Sequence, residues 1–270
     1  MSIRYLDAHL HLQDKRFTDE REDYISQSLQ SGVRLFFCNA INESDWLPVV
    51  KLAARYSSIV PFLGIHPWYA DNLTTGWQSR LQRIIEQIPG NAGIGEIGLD
   101  KACQVDIGSQ LLLFNAQLEL AADQQYPVSI HCVRCWGTLV SILESHAKAH
   151  DLPAILIHAF SGSREIMKRL VRLGCFISFS SRITDPKQTK LQNIFISTRL
   201  IKILLETDAP YYKIVLGGNP QDPATRNNDP AVIRETYLWA ARQRHMLIET
   251  FAQQLWQNAS IYAHPTLIGK

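Results

Sequence analysis

Apolar residues along the chain fall into short runs rich in β-branched and aromatic side chains, each followed by an amphipathic stretch. The strand-like runs are Arg4–Leu12, Val33–Ala40, Ile59–His66, Ala92–Gly98, Pro127–Cys132, Ala154–Ala159, Cys175–Ser180 and Ile201–Asp208. Between them lie helix-like stretches at Asp19–Gln30, Ser44–Tyr56, Trp77–Gln87, Ser109–Gln125, Gly137–His150, Ser163–Leu173 and Pro186–Thr198. Two more, Pro230–Gln243 and Ile248–Ala259, close the chain. Strict alternation of this kind predicts parallel βαβ units. Eight such units close as a (β/α)8 TIM barrel of the α/β class. Gly32 and Gly174 follow two of the helices, and Ser163 is placed to cap another. The one irregular region, Tyr211–Asn228, is rich in Gly, Pro and Asn. It is too long for a simple βα turn, which marks it as a functional loop.

Composition narrows the class. At 270 residues and 46% hydrophobic content, the chain is long enough for one such barrel over 1–270. No apolar run reaches the length of a membrane span, and Met-Ser-Ile-Arg-Tyr at the start has no export signal. Five cysteines, an odd number, suggest reduced thiols and a cytoplasmic setting. The formal net charge of +2 permits an anionic substrate without demanding one. No obligate protein partner is inferred.

A TIM barrel carries its chemistry on the C-terminal ends of its strands. Ligand-type residues should cluster there, and they do. The first run ends in Asp7-Ala-His9-Leu-His11, the third in Gly-Ile-His66-Pro-Trp68, and the fourth in Gly-Glu96-Ile-Gly-Leu-Asp100. The fifth ends in Ser-Ile-His131-Cys, the sixth in Ile-His158-Ala-Phe, and the eighth in Glu206-Thr-Asp208-Ala-Pro. Side chains two apart on a strand share a face, so Asp7, His9 and His11 are expected together. Two imidazoles beside a carboxylate begin a divalent-metal site.

Together these stretches, with Arg226-Asn-Asn-Asp-Pro-Ala, resemble the TatD family of metal-dependent deoxyribonucleases within the amidohydrolase superfamily. They occur in the family's order and span nearly the whole chain. The resemblance implies two divalent ions, from among Zn, Mn, Co and Mg. His9, His11 and Asp208 would hold one and His131 and His158 the second, with Glu96 bridging. His66 would face the substrate phosphate. Arg226 and the loop before it would shape the substrate rim. The family commonly carries an arginine two residues after the fifth-strand histidine; here that position is Val133 and arginine follows as Arg134. In a strand the shift reverses its direction; in a loop it does not. The segment after Asp100, with Cys103 and Asp106, also departs from the family's pattern.

The chemistry supports these roles on its own terms. Two ions bridged by a carboxylate suit the activation of a shared water and the neutralisation of the oxygen under attack. Asp208 can ligate metal and serve as general base. Pro67 fixes the turn after His66, and an imidazole there suits a phosphate oxygen. Trp68 is placed to stack on a base or to cover the mouth. Glu206 shares a strand face with Asp208, as an outer partner or an ion-pair member. Asp100 is expected to order its loop. Cys132 and Cys135 spell Cys-x-x-Cys, but no second pair accompanies them and the context is not thioredoxin-like. Arg164, Lys168, Arg169 and Arg172 read as a solvated helix face.

The expected function is therefore a metal-dependent hydrolase, a deoxyribonuclease of 3′–5′ exonuclease type with DNA as substrate. Asp208, Glu96 and His66 would be catalytic, and His66, Trp68, Arg134 and Arg226 would bind substrate. The alternative is an amidohydrolase-like enzyme that opens a small phosphoester, carboxyl ester or amide with the same site.

Overall fold

The computed structural model describes residues 3–88, 92–211 and 232–263. Its strands are β1 (Tyr5–Leu10), β2 (Val33–Asn39), β3 (Ile59–Leu63), β4 (Gly93–Asp100), β5 (Val128–Val133), β6 (Ile155–Ile157), β7 (Phe176–Ser180) and β8 (Ile203–Glu206). They form one eight-stranded sheet in sequence order, and every neighbouring pair is parallel. The helices are α1 (Arg21–Gln30), α2 (Glu43–Arg55), α3 (Trp77–Glu86), α4 (Ile107–Gln124), α5 (Trp136–Ala149), α6 (Arg164–Arg172), α7 (Thr189–Ser197), α8 (Val232–Gln243) and α9 (Ile248–Ala263).

The expected TIM-barrel order is therefore present, with shorter strands than the apolar runs suggested. The run ends at His11, His66, His158 and Asp208 lie just beyond their strands, where polar side chains leave the ladder for the rim. Backbone bonds at that rim bring the first and last strands together: His11 N donates to Ala209 O at 2.7 Å and Asp208 N to His9 O at 3.0 Å.

Helix chemistry follows the sequence. Ser163 accepts from Ile166 N at 3.3 Å and caps α6. Met167 and Leu170 face inward while Arg164, Lys168 and Arg172 stay exposed, and Arg169 reaches Glu144 of α5 at 2.7 Å. That is the solvated face the charge pattern predicted.

The lower half of the barrel interior is filled by Leu6, Ala8, Leu35, Phe37, Phe62, Leu156, Phe176 and Leu204, with Tyr262 of α9 among them. Phe62 of β3 and Phe176 of β7 both lie 5.8 Å from the Tyr262 ring, a contact possible only across the interior. A side chain on Gly93 would meet the Phe62 ring at 2.1 Å, so the glycine makes room for the aromatic. Phe62→Ala is expected to cost about 3–5 kcal/mol, the usual range for emptying a buried aromatic site. Urea unfolding checks it: a lower midpoint at unchanged m-value is the predicted result.

β1 explains how the site gains its histidines. Leu6 and Ala8 belong to the interior cluster, whereas Leu10 and Leu12 pack in the outer layer. The alternation thus breaks where the β1–β2 register shifts, between Asp7 and Leu10. Asp7 therefore does not join His9 and His11 as strict alternation suggested. Its carboxylate turns to β8, accepting from Thr207 N at 2.9 Å and Thr207 Oγ1 at 2.5 Å, and so ties β1 to the segment that carries Asp208.

Candidate metal centre

Glu96 of β4 stands at the centre of the upper rim. Its backbone is admitted by Gly95, where a side chain would meet Asn39 Oδ1 at 2.6 Å. Gly98 then takes φ +142°, and a side chain there would strike the His131 carbonyl oxygen at 2.0 Å. The β4–β5 register shifts between Ile94 and Ile97, so Glu96 lies at an irregularity of the ladder.

Five imidazoles converge on that carboxylate. His158 Nε2 lies 2.7 Å, His131 Nδ1 2.9 Å and His66 Nε2 3.4 Å from Glu96 Oε1. His9 Nε2 lies 3.3 Å and His11 Nε2 3.4 Å from Oε2. Asp208 Oδ1 is 3.5 Å from His11 Nε2. The structure thus assembles all six residues expected as ligands, together with His66. Candidate donor groups are His9–His11–Asp208, His9–Glu96–His158 and His66–Glu96–His131, each within 4.8 Å.

Outer partners decide which nitrogen each ring presents. His11 Nδ1 donates to the Asn39 carbonyl at 2.7 Å, so Nε2 carries the lone pair. His9 Nδ1 meets Ser129 Oγ at 2.8 Å. The two Nε2 atoms, of His9 and His11, face each other at 3.3 Å. Ligands of a tetrahedral zinc at about 2.0–2.1 Å stand roughly this far apart. Such a pair is satisfied by a proton on one nitrogen or by a cation between the two, and the donor set fits a divalent cation. His66 differs. Its Nδ1 accepts from Trp68 N at 3.2 Å, which leaves the proton on Nε2 of the neutral ring. It is therefore a donor, and it stands among the residues that line the cavity above Glu96.

Electrostatics follow from burial. Burial pulls His9 down to about 3 and His66 down to about 4, and both rings are neutral at neutral pH. Burial also opposes the Glu96 charge, but His158, His66 and His9 outweigh it and hold the carboxyl well below the usual carboxylate range.

Several residues at the site had no assigned part in the sequence reading, or only a local one. Asp100 does order its loop, accepting from Ala102 N at 2.7 Å. Its other oxygen accepts from Trp68 Nε1 at 2.7 Å and stands 3.4 Å from His131 Nε2, so one carboxylate ties the rim tryptophan to a candidate ligand. Ser129 sits two before His131 in β5, and that spacing was a usable signal. Tyr211 packs edge-on to His11, 5.4 Å between centroids, and stacks with Arg16 at 4.2 Å. Arg182 follows β7 with no motif to announce it.

Above these groups opens a cavity of about 460 Å³, walled by Trp68, Val133, Arg134, Trp136, Arg182 and Tyr211. β5 ends at Val133, and Arg134 takes φ +55° beyond it. The arginine therefore lines the cavity despite its shifted position. Trp68 is 41% exposed at the mouth. Arg226 lies outside the described residues. Cys132 and Cys135 are free and buried, and burial pushes both thiols up, which leaves them protonated.

Residues 6–263 match the TatD related DNase family. The "uncharacterized metal-dependent hydrolase YjjV" of Escherichia coli is 32% identical over 78% of this chain and 81% of its own length. The "3′-5′ ssDNA/RNA exonuclease TatD" of the same organism is 30% identical over 83% and 85%. The crystal structure of E. coli YjjV superposes with a TM-score of 0.88 at 28% identity, covering 97% of this chain and 99% of that one. A phosphotriesterase homology protein of E. coli, at TM-score 0.67 and 17% identity over 97% and 99%, shares the fold. With its barrel, its rim of histidines and carboxylates, and this match along nearly its whole length, the chain belongs to the TatD-related DNase family of metal-dependent hydrolases.

Proposed function

We propose that the chain, as one catalytic unit over 1–270, is a 3′–5′ exonuclease that removes nucleotides from single-stranded DNA. The observation that carries the reading is the Glu96 cluster at the floor of a cavity walled by arginine and aromatic side chains. The curated TatD relatives are named for the same reaction on DNA and RNA.

Two ions are proposed, with His9, His11 and Asp208 around one, His131 and His158 around the other, and Glu96 between. Imidazole-rich donors favour Zn, Mn or Co over Mg, which prefers an all-oxygen shell. When bound, such ions supply Lewis acidity to the attacking water and to a phosphoryl oxygen. Asp208 takes the proton of that water. His66 donates a hydrogen bond from its Nε2–H to a non-bridging phosphate oxygen, and Arg134 adds positive charge at the cavity wall. Arg226, which follows β8 in the sequence, is proposed to contact substrate. Trp68, its indole nitrogen held by Asp100, offers a ring face to the terminal base. Five free thiols and no membrane-spanning helix among the described residues support a cytoplasmic site of action.

The test is digestion of a 5′-labelled single-stranded oligonucleotide with protein loaded in turn with each metal, RNA of the same sequence alongside. A ladder shortening from the 3′ end is expected. Turnover of a small ester or phosphoester without shortening of either strand would replace this reading with the amidohydrolase-like one. Trp68→Ala is expected to raise KM on the oligonucleotide on the order of tenfold, the worth of one stacked base, with a smaller change in kcat. A fall in kcat alone would count against stacking.

A further inference from the structure

We propose that Glu206 is a positioning residue for the second half of the metal centre, holding His158 in the orientation and tautomer that turn its Nε2 toward Glu96. This rests on the two-ion reading above. Glu206 ends β8 and is fully buried. Its Oε1 accepts from Ala159 N at 2.6 Å, and its Oε2 accepts from Ser178 Oγ of β7. One carboxylate thus pins β7 and the end of β6 to β8.

Two features connect it to His158. Ala159, the next residue, has φ +42°, a conformation that costs an alanine energy. The Glu206 carboxylate receives the N–H of that bend, and the bend sets where the His158 side chain leaves the backbone. In addition, His158 Nδ1 is buried without a hydrogen-bond partner. Glu206 Oε1 stands 3.7 Å away, too long for a hydrogen bond but close enough to favour a proton on that nitrogen. With Nδ1 held protonated, Nε2 is the nitrogen turned to Glu96 Oε1, a hydrogen-bond distance of 2.7 Å away, and the one that would ligate a metal once its own proton leaves. A carboxylate behind a ligating histidine orients it and raises its basicity. On the other side of the centre, neutral oxygens serve the corresponding nitrogens: Ser129 Oγ for His9 and the Asn39 carbonyl for His11. The charged outer partners, Glu206 and Asp100, both sit behind the proposed second-ion ligands, His158 and His131.

The experiment is equilibrium dialysis of the full chain against buffered free Zn²⁺, with bound zinc measured directly and no nucleic acid present. Wild type is expected to bind two ions. Glu206→Gln should bind the first as before and need about 10–100-fold more free zinc for the second. The melting temperature of its metal-free form should stay close to wild type. Glu206→Asp, which keeps the charge on a shorter arm, should fall between, and it carries the measurement if the glutamine variant does not fold. Unchanged affinity for both ions, or equal weakening of both with a lower metal-free melting temperature, would overturn the proposal. Binding of a single ion by wild type would sink the two-ion reading; a shift of that ion's half-saturation in the variants would still support Glu206 as a positioning residue, and no shift would overturn it.

Discussion

Glu96→Gln and Asp208→Asn are each expected to lower kcat/KM for oligonucleotide hydrolysis by about a thousandfold or more. The two changes preserve side-chain shape and remove charge. Glu96 is approached by five imidazoles within 3.4 Å. A glutamine amide there keeps one acceptor and replaces the other oxygen with an NH2 group that cannot ligate a cation. The charge that compensates bound cations disappears at the point shared by both halves of the centre. Glu96→Gln should therefore lose activity together with bound metal. Asp208 stands at the side, 3.5 Å from His11, on the cavity wall. Its asparagine keeps a carbonyl oxygen for ligation but cannot accept a proton at neutral pH. Asp208→Asn should therefore lose kcat while retaining most of its metal. Activity assays paired with metal analysis separate the cases. A Glu96→Gln protein that keeps both its metal and its rate would remove Glu96 from the centre. An Asp208→Asn protein with wild-type kcat would leave the proton with another acceptor.

How much of this was legible before any coordinates depended on what each residue's role required. Candidate ligands that had only to sit on strands reaching one rim could be grouped from the sequence, because the strand ends of a parallel barrel share that rim. Glu96, His131, His158 and Asp208 belong to that group. Asp7 was misplaced because a register shift in β1 broke the alternation that grouped it with His9 and His11, and no local residue pattern announces such a shift. Asp100 was half read: its loop-ordering bond is local, two residues along, but its contact with His131 crosses from β4 to β5. Arg134 was left between two outcomes, and the end of β5 at Val133 decided between them. Tyr211 and Arg182 stand in no motif that marks them, and only the shape of the cavity brings them to its wall.

Removal of bound metal is expected to lower the melting temperature by about 8–16 °C for each tightly held ion, and to abolish hydrolysis. An ion present at a thousand times its dissociation constant stabilises the native state by about 4 kcal/mol. One kcal/mol moves the melting temperature of a chain near this size by about 2–4 °C. The structural reason is the crowding of the centre. His9 and His11 oppose their Nε2 atoms at 3.3 Å, and His158 Nε2 is pressed to 2.7 Å from Glu96 Oε1. Without a cation, these groups must be satisfied by protons or by rearrangement, each at the expense of a site already walled in by Gly95, Ser129 and Asn39. The unfolded chain makes no such demand, so the loss falls on the native state alone. Differential scanning calorimetry before and after chelation, with each candidate metal returned in turn, measures the effect. The ion that restores the largest shift and the highest kcat together would be the working metal. A chelated protein that melts at the loaded temperature would mean that the rim of the barrel is preorganised without metal and that the donor cluster contributes nothing to folding through cation binding.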